Sequence, residues 1–294
     1  MKKFLISGGS GFIGNYFINN FSDKKNIYFI LLKNSKKNKK LQKSLKKKNF
    51  KFLFFKKNSE IYTLISKKKI NFFIDFSTYF NTKNNFKIAE RIIKSNILFP
   101  ILVLEAINKK YLKKVINFSS MSQHQQNKKY LPLNLYSASK EANEKLLIFY
   151  KISLKNTKFF NIKLYETYDE NDKRNKLIPT ILKNYKNNLV TNIKSNKLLL
   201  NFLHVSDICQ AVILLINKKI NSGQYQIKAK ESVNIKKIID KFNKNNVKKI
   251  KYNILGNKHF NVNYKLKKLP FWKQTRNINT DFNFLLNKDY KYKI

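Results

Sequence analysis

The chain has 294 residues, 43% of them hydrophobic, which is enough apolar material for one large domain or for two that share a core. Its formal net charge is +46, yet only three of its 62 basic residues are arginine. Nucleic-acid-binding proteins favour arginine, because its planar guanidinium grips phosphate and guanine with two hydrogen bonds. The lysines are also spread from end to end and do not form a patch. This distribution is typical of compositional drift at exposed positions, so we expect no specific nucleic-acid partner.

The cellular compartment is indicated by the cysteine content and by the length of the apolar runs. A single cysteine, Cys209, leaves no internal disulfide and indicates a reducing compartment. No apolar run approaches the ~18–20 residues of a transmembrane helix. The opening MKKFLI begins like a signal peptide, but its apolar stretch ends at once in Gly and Ser. We therefore expect a cytoplasmic protein without a membrane partner.

The first half of the chain alternates short apolar runs with longer segments. The runs have the length and the β-branched or aromatic content of buried parallel strands, and they are 2–7, 27–32, 50–55, 71–76, 113–119 and 158–164. The clearest helical segments are 84–109 and 134–155, and Pro100 is expected to kink or divide the first of them. Strand and helix in alternation predict an α/β fold with a doubly wound parallel sheet.

After about residue 165 the pattern loosens. Helices are predicted near 176–186, 206–217 and 234–243, and a strand is predicted near 198–203. No element is assigned after 257. The change in pattern predicts a sheet domain over 1–165, which also includes about 198–218, and a smaller, partly interleaved C-terminal domain over 166–294 that would bind the substrate.

Four of the six glycines lie between positions 8 and 14, directly after the first predicted strand. Glycine allows a sharp turn from strand to helix and lets a pyrophosphate approach the backbone, and the helix N-terminus adds free N–H groups. We predict that this segment binds a dinucleotide, with a purely structural turn as the alternative. The residues concerned are Gly8, Gly9, Ser10, Gly11, Phe12, Ile13 and Gly14.

Tyr136 and Lys140 share one face of the second long predicted helix. The ammonium group can stabilise the phenolate and lower the tyrosine pKa from ~10 towards neutrality, which makes it a usable acid or base. Only Tyr136 follows a serine-rich strand end and opens a well-formed helix, so we select this pair as catalytic. The same spacing occurs twice more, as chance predicts in a chain rich in both residues, at Tyr79/Lys83 and Tyr264/Lys268.

The sequence GGSGFIG at the end of the first strand resembles the extended short-chain dehydrogenase/reductase superfamily, in particular its NAD-dependent epimerase/dehydratase family. Further segments resemble this family in the same order, over roughly residues 1–245. The resemblance implies a Rossmann sheet, a nicotinamide dinucleotide cofactor and a nucleotide-activated sugar as substrate. It also implies a homodimer that pairs through the two long helices, 84–109 and 134–155.

The resemblance assigns further site residues. In the family a Ser or Thr just past the fifth strand binds the reacting oxygen, and we select Ser120 for this role. Ser119 and Ser122 are its rivals, and a plain polar strand end is the alternative. Asn96 matches a helix asparagine that supports the active site, and it is otherwise an ordinary polar residue. Lys140 is also expected to orient the nicotinamide ribose.

The choice of reaction depends on the two residues after Ser120. The dehydratases of the family carry an Asp-Glu pair there, whereas this chain has Met121 and Ser122. This difference argues against a dehydratase and favours reduction of a keto-sugar, with Tyr136 as the proton donor. The alternatives are a nucleotide-sugar epimerase that retains NAD, and a non-catalytic family member that binds dinucleotide or RNA.

Three departures from the family pattern weaken the usual substrate contacts. Leu200 replaces an arginine that binds the diphosphate, and Asp169 and Lys228 replace glycines. Nearby lysines can supply positive charge, but they lack the bidentate geometry of arginine.

The cofactor preference is indicated by LLKNSKK (31–37), which ends the second strand. NAD enzymes usually place an acid there to accept hydrogen bonds from the adenosine ribose. This segment contains no acid, and Lys33, Lys36 and Lys37 can receive a 2′-phosphate. NADP(H) is therefore favoured, with NAD(H) as the alternative.

Two further polar features are less specific. The histidines, His124, His204 and His259, are scattered and show no metal-ligand spacing, so no metal site is expected. Asp75 ends a predicted strand, and it is either a ligand-facing residue or an exposed carboxylate.

Overall fold

The computed structural model describes residues 1–21, 23–45, 48–258, 262 and 264–287. The chain folds into two compact units. The first unit consists of Met1–Leu164, Ile208–Ile227 and Tyr264–Trp272. The second consists of the described residues of Tyr165–Asp207, Lys228–Asn263 and Lys273–Ile294.

Strands and helices alternate along the first half of the chain. The strands are β1 (Lys3–Ser7), β2 (Ile27–Lys33), β3 (Phe50–Phe55), β4 (Phe72–Asp75), β5 (Lys114–Ser120), β6 (Lys158–Leu164), β7 (Glu166–Tyr168), β8 (Thr191–Ile193), β9 (Leu199–Leu200), β10 (Phe202–His204), β11 (Gly223–Gln226), β12 (Val233–Asn234) and β13 (Tyr252–Ile254). The α-helices are α1 (Phe12–Asn20), α2 (Lys36–Ser44), α3 (Glu60–Ile65), α4 (Phe86–Ile93), α5 (Phe99–Ala106), α6 (Leu135–Ser153), α7 (Leu177–Lys186), α8 (Val205–Asn217), α9 (Ile235–Asn245) and α10 (Ile278–Asn287).

A parallel sheet of seven strands forms the centre of the first unit, in the order β11-β6-β5-β4-β1-β2-β3. The six predicted strands are β1 to β6, and each end lies within one residue of its predicted position. The predicted doubly wound parallel sheet is therefore confirmed. The edge strand β11 was not predicted, because its sequence GQYQ is short and polar.

The register of the sheet sets the position of three polar side chains. Ser7 of β1 pairs with Asp75 of β4, and Asp75 pairs with Asn117 of β5. Ser7 and Asp75 lie at the carboxyl ends of their strands, and Asn117 lies level with them in the middle of the longer strand β5. In open α/β sheets the carboxyl ends of the strands form the edge at which ligands bind.

The predicted helix over 84–109 is divided, as Pro100 indicated. A π-helical turn, Lys94–Leu98, joins α4 to α5, and Pro100 lies in the first turn of α5. Proline has no backbone N–H, so it cannot donate a bond to the preceding turn, and here that turn is the π-helical one. The π-helical turn contains Asn96, whose side chain is buried.

The second unit has its own apolar core, which includes Tyr168, Ile239 and Phe282. The strand predicted near 198–203 is wrong as a single element, since the structure has β9 and β10 instead. They are separated by Asn201, whose side chain bonds the Ala229 N–H (2.9 Å) and carbonyl (3.0 Å). The segment after 257, for which no element was predicted, contains α10. Among the described residues, no helix combines the length and apolar character needed to cross a bilayer.

Candidate active site

The glycine-rich segment turns directly from β1 into α1. Gly8 has a φ of +68°, and a Cβ there would lie 2.5 Å from the backbone nitrogen of Ser77. A Cβ on Gly14 would lie 2.9 Å from the carbonyl carbon of Gly8. Gly11 is the N-cap of α1, and its N–H donates to the Gly8 carbonyl (2.9 Å). Only glycine fits at positions 8 and 14, and the helix N-terminus beside them suits the pyrophosphate of a dinucleotide.

The other predicted residues of this segment line the same turn. A Cβ on Gly9 would lie 2.8 Å from the side chain of Ile30, so this position is also closely packed. Ser10, Phe12 and Ile13 are half-buried.

The end of β2 lies at the same edge of the sheet, because Ser7 pairs with Leu31. Lys33, Lys36 and Lys37 are exposed. Ser35 caps α2 by accepting the Asn38 N–H (3.2 Å), and Asn38 Nδ2 donates to the Lys33 carbonyl (2.7 Å). These bonds hold the backbone of the turn and leave its lysine side chains in solvent.

Tyr136 and Lys140 lie in the first two turns of α6. Asn134 begins this helix by accepting the Ser137 N–H (3.0 Å). Tyr136 is half-buried, and its ring packs edge-on against Phe80 with 4.9 Å between the centroids. Lys140 is 4% exposed. Burial lowers the pKa of Lys140, while the charges of Asp75 and Glu144 act to raise it.

Asp75 is buried, so its interpretation as an exposed carboxylate is wrong. Its Oδ1 accepts hydrogen bonds from the Ser7 hydroxyl (2.5 Å), the Ser77 N–H (2.9 Å) and the Ser77 hydroxyl. The charge of this buried carboxylate acts to raise the pKa of Lys140.

The three candidate serines at the end of β5 have different partners. The Ser119 hydroxyl donates to Asn161 Oδ1 (3.1 Å) on the neighbouring strand β6. Ser120 caps the 3-10 turn Met121–Gln123, and its Oγ lies 2.7 Å from Ser122 Oγ. Ser122 Oγ in turn lies 2.7 Å from Ser137 Oγ on α6. Ser120 and Ser122 are therefore joined to the helix that carries Tyr136, whereas Ser119 is bound within the sheet.

Asn96 connects the loop after β4 to α6. Its Nδ2 donates to Ser139 Oγ (3.0 Å), beside Lys140, and to the Tyr79 carbonyl (3.1 Å). Its Oδ1 accepts the Tyr79 N–H (2.7 Å). Such a set of contacts suits a residue that supports the position of Lys140.

The second unit contains a cluster of charged residues, Asp169, Glu170, His204 and Arg276. His204 and Arg276 are far from the two carboxylates in the sequence, so no motif predicted the cluster. His204 Nε2 lies 3.2 Å from Glu170 Oε2 and 3.5 Å from Asp169 Oδ2. Arg276 also pairs with Glu170 (2.9 Å). Burial acts to lower the pKa of His204, but its hydrogen bonds to Asp169 and Glu170 outweigh burial and raise the pKa to about 9. The ligand-type groups of Asp169, Glu170 and His204 lie close enough together to hold a metal ion.

Of the other two histidines, the structure describes His124 and not His259. His124 Nε2 lies 2.7 Å from Lys163 Nζ in the first unit. His259 lies outside the described residues.

A model of the NAD dependent epimerase/dehydratase family matches residues 4–233 of the chain. A dTDP-D-glucose 4,6-dehydratase of Dictyostelium discoideum is 30% identical over 259 residues, which cover 77% of this chain and 58% of that protein. A CDP-abequose synthase of Salmonella muenchen is 26% identical over 160 residues, which cover 54% of each. The chain thus spans little more than half the length of these curated relatives.

Solved structures share the fold over nearly the whole chain. A UDP-glucuronic acid 4-epimerase variant of Bacillus cereus, in complex with UDP-4-deoxy-4-fluoro-glucuronic acid and NAD, superposes with a TM-score of 0.79 at 16% identity, covering 97% of this chain and 96% of that one. A dTDP-glucose 4,6-dehydratase of Bacillus anthracis in complex with NAD gives a TM-score of 0.78 at 15% identity, with coverage of 97% and 96%. The family match, which covers most of the chain, decides membership: the chain belongs to the NAD dependent epimerase/dehydratase family.

Proposed function

We propose that the protein is an NAD(P)-dependent oxidoreductase that reduces the keto group of a nucleotide-activated sugar. The observation that carries this proposal is the placement of Tyr136 and Lys140 on α6, with a buried Lys140 on which the charges of Asp75 and Glu144 act. The names of its relatives support the substrate class, since they specify dTDP-, CDP- and UDP-activated sugars.

The chain's own residues would divide the work as follows. Gly8 to Gly14 and the N-terminus of α1 hold the pyrophosphate of the dinucleotide, which supplies the hydride when bound. Tyr136 binds the keto oxygen and donates its phenolic proton to it, and Ser120 donates a hydrogen bond to the negative charge that develops there. The Lys140 ammonium stabilises the phenolate that remains, and negative charge that develops on the oxygen is met by these donors.

The residues after Ser120 favour reduction over dehydration. Met121 is buried and apolar, and the Ser122 hydroxyl bonds to Ser120 and Ser137. Neither residue offers a carboxylate that could remove a sugar proton during water elimination. Epimerisation is the second candidate, because it uses the same Tyr-Lys pair and because the fold of the chain is similar to that of a UDP-glucuronic acid 4-epimerase with bound NAD.

The preference for NADP(H) rests on Lys33, Lys36 and Lys37 alone. The solved relatives contain NAD and lend this preference no support. Fluorescence titrations with NADPH and NADH at near-physiological salt test it directly. We expect Lys33→Ala to weaken NADPH binding several-fold and to leave NADH binding unchanged, because only NADPH carries the 2′-phosphate. A preference for NADH in the parent protein, or NAD that co-purifies with it, would favour NAD(H) and, with it, an epimerase.

The Tyr136→Phe variant tests the enzyme proposal itself. It should lose about 10²- to 10⁴-fold in turnover, the usual contribution of general acid catalysis, while it binds the dinucleotide as before. Tyr79→Phe is the matched control, since Tyr79 has the same spacing to a lysine but is not assigned to catalysis. Unchanged turnover in Tyr136→Phe would refute the assigned chemistry.

A further inference from the structure

The hydroxyl group of Ser120 belongs to a chain of hydrogen bonds that ends at the N-cap of α6. Ser120 Oγ lies 2.7 Å from Ser122 Oγ, and Ser122 Oγ lies 2.7 Å from Ser137 Oγ. The Ser137 hydroxyl donates to Asn134 Oδ1 over 3.0 Å. These four residues join the end of β5 to the first turn of the helix that carries Tyr136.

The donor-to-acceptor direction of these hydrogen bonds follows from the last residue in the series, Asn134. Asn134 Oδ1 also accepts the Ser137 backbone N–H (3.0 Å), so the amide oxygen, which can only accept, faces Ser137. A hydroxyl group has one proton, and Ser137 uses it on Asn134. Ser137 must then accept from Ser122, and Ser122 must accept from Ser120. The hydroxyl proton of Ser120 therefore lies in the bond to Ser122.

The backbone of Ser120 is held separately from its hydroxyl. The Ser120 N–H donates to Gln123 Oε1 (3.0 Å). Gln123 Nε2 donates to Glu141 (2.7 Å) and Glu144 (2.9 Å), two carboxylates of α6, so the orientation of this amide is also determined. Ser120 Oγ also accepts the Ser122 N–H (3.2 Å). The hydroxyl proton of Ser120 can thus turn about the Cβ–Oγ bond while the oxygen and the backbone stay in place.

We propose that Ser122 holds the Ser120 hydroxyl in a hydrogen bond while the substrate is neutral, and that Ser120 turns to donate to the substrate oxygen as negative charge develops there. This proposal rests on the proposed reduction of a keto-sugar. One hydrogen bond breaks and another forms, Ser120 keeps its proton throughout, and the proton that ends on the product comes from Tyr136. Ser122 is accordingly a positioning residue.

The reason for the exchange is the relative strength of the two bonds. A hydrogen bond to an ionised acceptor is roughly twice as strong as one between neutral groups. A neutral keto oxygen therefore competes poorly with Ser122 for the Ser120 proton, whereas an oxyanion competes well. An interaction made only in the transition state raises kcat, because it does not also stabilise the bound substrate.

The Ser122→Ala variant tests this role by freeing the Ser120 hydroxyl in the ground state. The probes are dTDP- and CDP-linked 4-keto-6-deoxyglucose, with the preferred nicotinamide cofactor. We expect KM and kcat to fall together, each about three- to ten-fold, with kcat/KM nearly unchanged. Ser122→Thr keeps a hydroxyl and should restore both constants towards their original values. A lower kcat with an unchanged or higher KM, or no change in either constant, would overturn the proposal.

Neutron diffraction of the protein without substrate tests the direction of the hydroxyl chain independently. We expect deuterium on Ser122 Oγ pointing to Ser137, and deuterium on Ser120 Oγ pointing to Ser122. Deuterium on Ser137 Oγ pointing to Ser122 would overturn the assignment. If turnover is lost in Tyr136→Phe but unaffected in Ser122→Ala, this inference is wrong and the proposed function stands. If the parent protein reduces neither probe, the result counts against the proposed function. The neutron result then decides the direction of the serine hydrogen bonds.

Discussion

Lys163 and Glu144 form an ion pair inside the first unit, with 3.0 Å between Nζ and Oε1 and with side chains that are 1% and 2% exposed. Gln123 and Gln224 donate to the same carboxylate (2.9 and 3.1 Å). The Lys163 ammonium also donates to His124 Nε2 (2.7 Å), which requires a neutral imidazole. Burial, and then the charge of Lys163, lower the pKa of His124 accordingly. Glu144 lies one helical turn after Lys140, so this pair anchors the helix that carries the proposed catalytic residues.

We expect Lys163→Met to destabilise the protein by about 3–5 kcal/mol, because it leaves the Glu144 carboxylate buried without its cation. Lys94→Met is the matched control. Its pair with Glu90 is exposed and should contribute less than about 1 kcal/mol. Urea unfolding followed by circular dichroism measures both values. The double variant Glu144→Gln/Lys163→Met should recover much of the loss, and equal losses in Lys163→Met and Lys94→Met would contradict the assignment.

We expect the Gly14→Ala variant to lose cofactor binding, because Gly14 lies in the closely packed glycine-rich turn. The added Cβ would come within 2.9 Å of the Gly8 carbonyl carbon and push α1 away from β1. We expect dinucleotide affinity to fall at least about tenfold in a fluorescence titration, since the helix N-terminus would move from the pyrophosphate. In Gly223→Ala the new Cβ would lie 3.5 Å from the Tyr225 ring, an ordinary contact, and binding should be retained. Retained affinity in Gly14→Ala would remove the cofactor role of this turn.

Asp75→Asn should move the alkaline limb of the pH–rate profile to lower pH. Burial already lowers the pKa of Lys140, and the charges of Asp75 and Glu144 oppose that effect. Loss of the Asp75 charge lowers the pKa further, so Lys140 loses its proton, and the enzyme its activity, at a lower pH. We expect a shift of about one pH unit in kcat/KM.

Ser77→Ala is the control for this shift, since it removes a donor to Asp75 but leaves the charge. Its alkaline limb should stay in place. A uniform loss of rate in Asp75→Asn with an unmoved limb would mean that Asp75 acts only on local structure.

His204 should make the stability of the protein depend on pH. Its pKa is about 9 in the folded protein, against ~6.5 in an unfolded chain. Its contribution is therefore complete below ~6.5 and is lost as the pH rises through about 9, with a size on the order of 3 kcal/mol. The pKa of Glu170 is lowered, chiefly by its hydrogen bond to His204, so its contribution is lost instead at acid pH.

Urea unfolding of the parent protein and of His204→Gln between pH 6 and 9.5 measures this contribution as a difference between the two proteins. The difference should shrink as the pH rises. A difference that is constant across this range would show that His204 is neutral in the folded state.

Exposed apolar side chains on α6 and α4 lead us to expect a homodimer. Phe149 and Ile152 are 62% and 69% exposed, and Phe86 on α4 is 84% exposed. Large apolar side chains on neighbouring helices favour burial against another protein surface, and the family resemblance indicates a second copy of the chain. Light scattering after size-exclusion chromatography should give a dimer, and Phe149→Glu/Ile152→Glu should give a monomer. Val247→Glu, at a fully exposed site on the second unit, should remain a dimer. A monomeric parent protein would refute this prediction.

The sheet could be predicted from the sequence because its signals are local. Each strand from β1 to β6 is a short apolar run, and burial on both faces of a parallel sheet requires such runs. The division at Pro100 and the start of α6 at Asn134 also depend on residues close to each other in the chain. Short or polar elements were missed or misjudged, as with β11 and the pair β9 and β10, because their pairing depends on partners distant in the sequence.

The amino-acid sequence by itself determined the glycine-rich turn, the parallel sheet and the Tyr136–Lys140 spacing, since each is a pattern of neighbouring residues. Only the tertiary structure decided that Asp75 is buried, that Glu144 pairs with Lys163, and that His204 meets Glu170 from 34 residues away. It also decided which partner each of the three serines Ser119, Ser120 and Ser122 has. These contacts depend on strand order and register, which bring together residues that share no local pattern. The chemistry of buried charges and hydroxyl groups therefore follows from the folded chain.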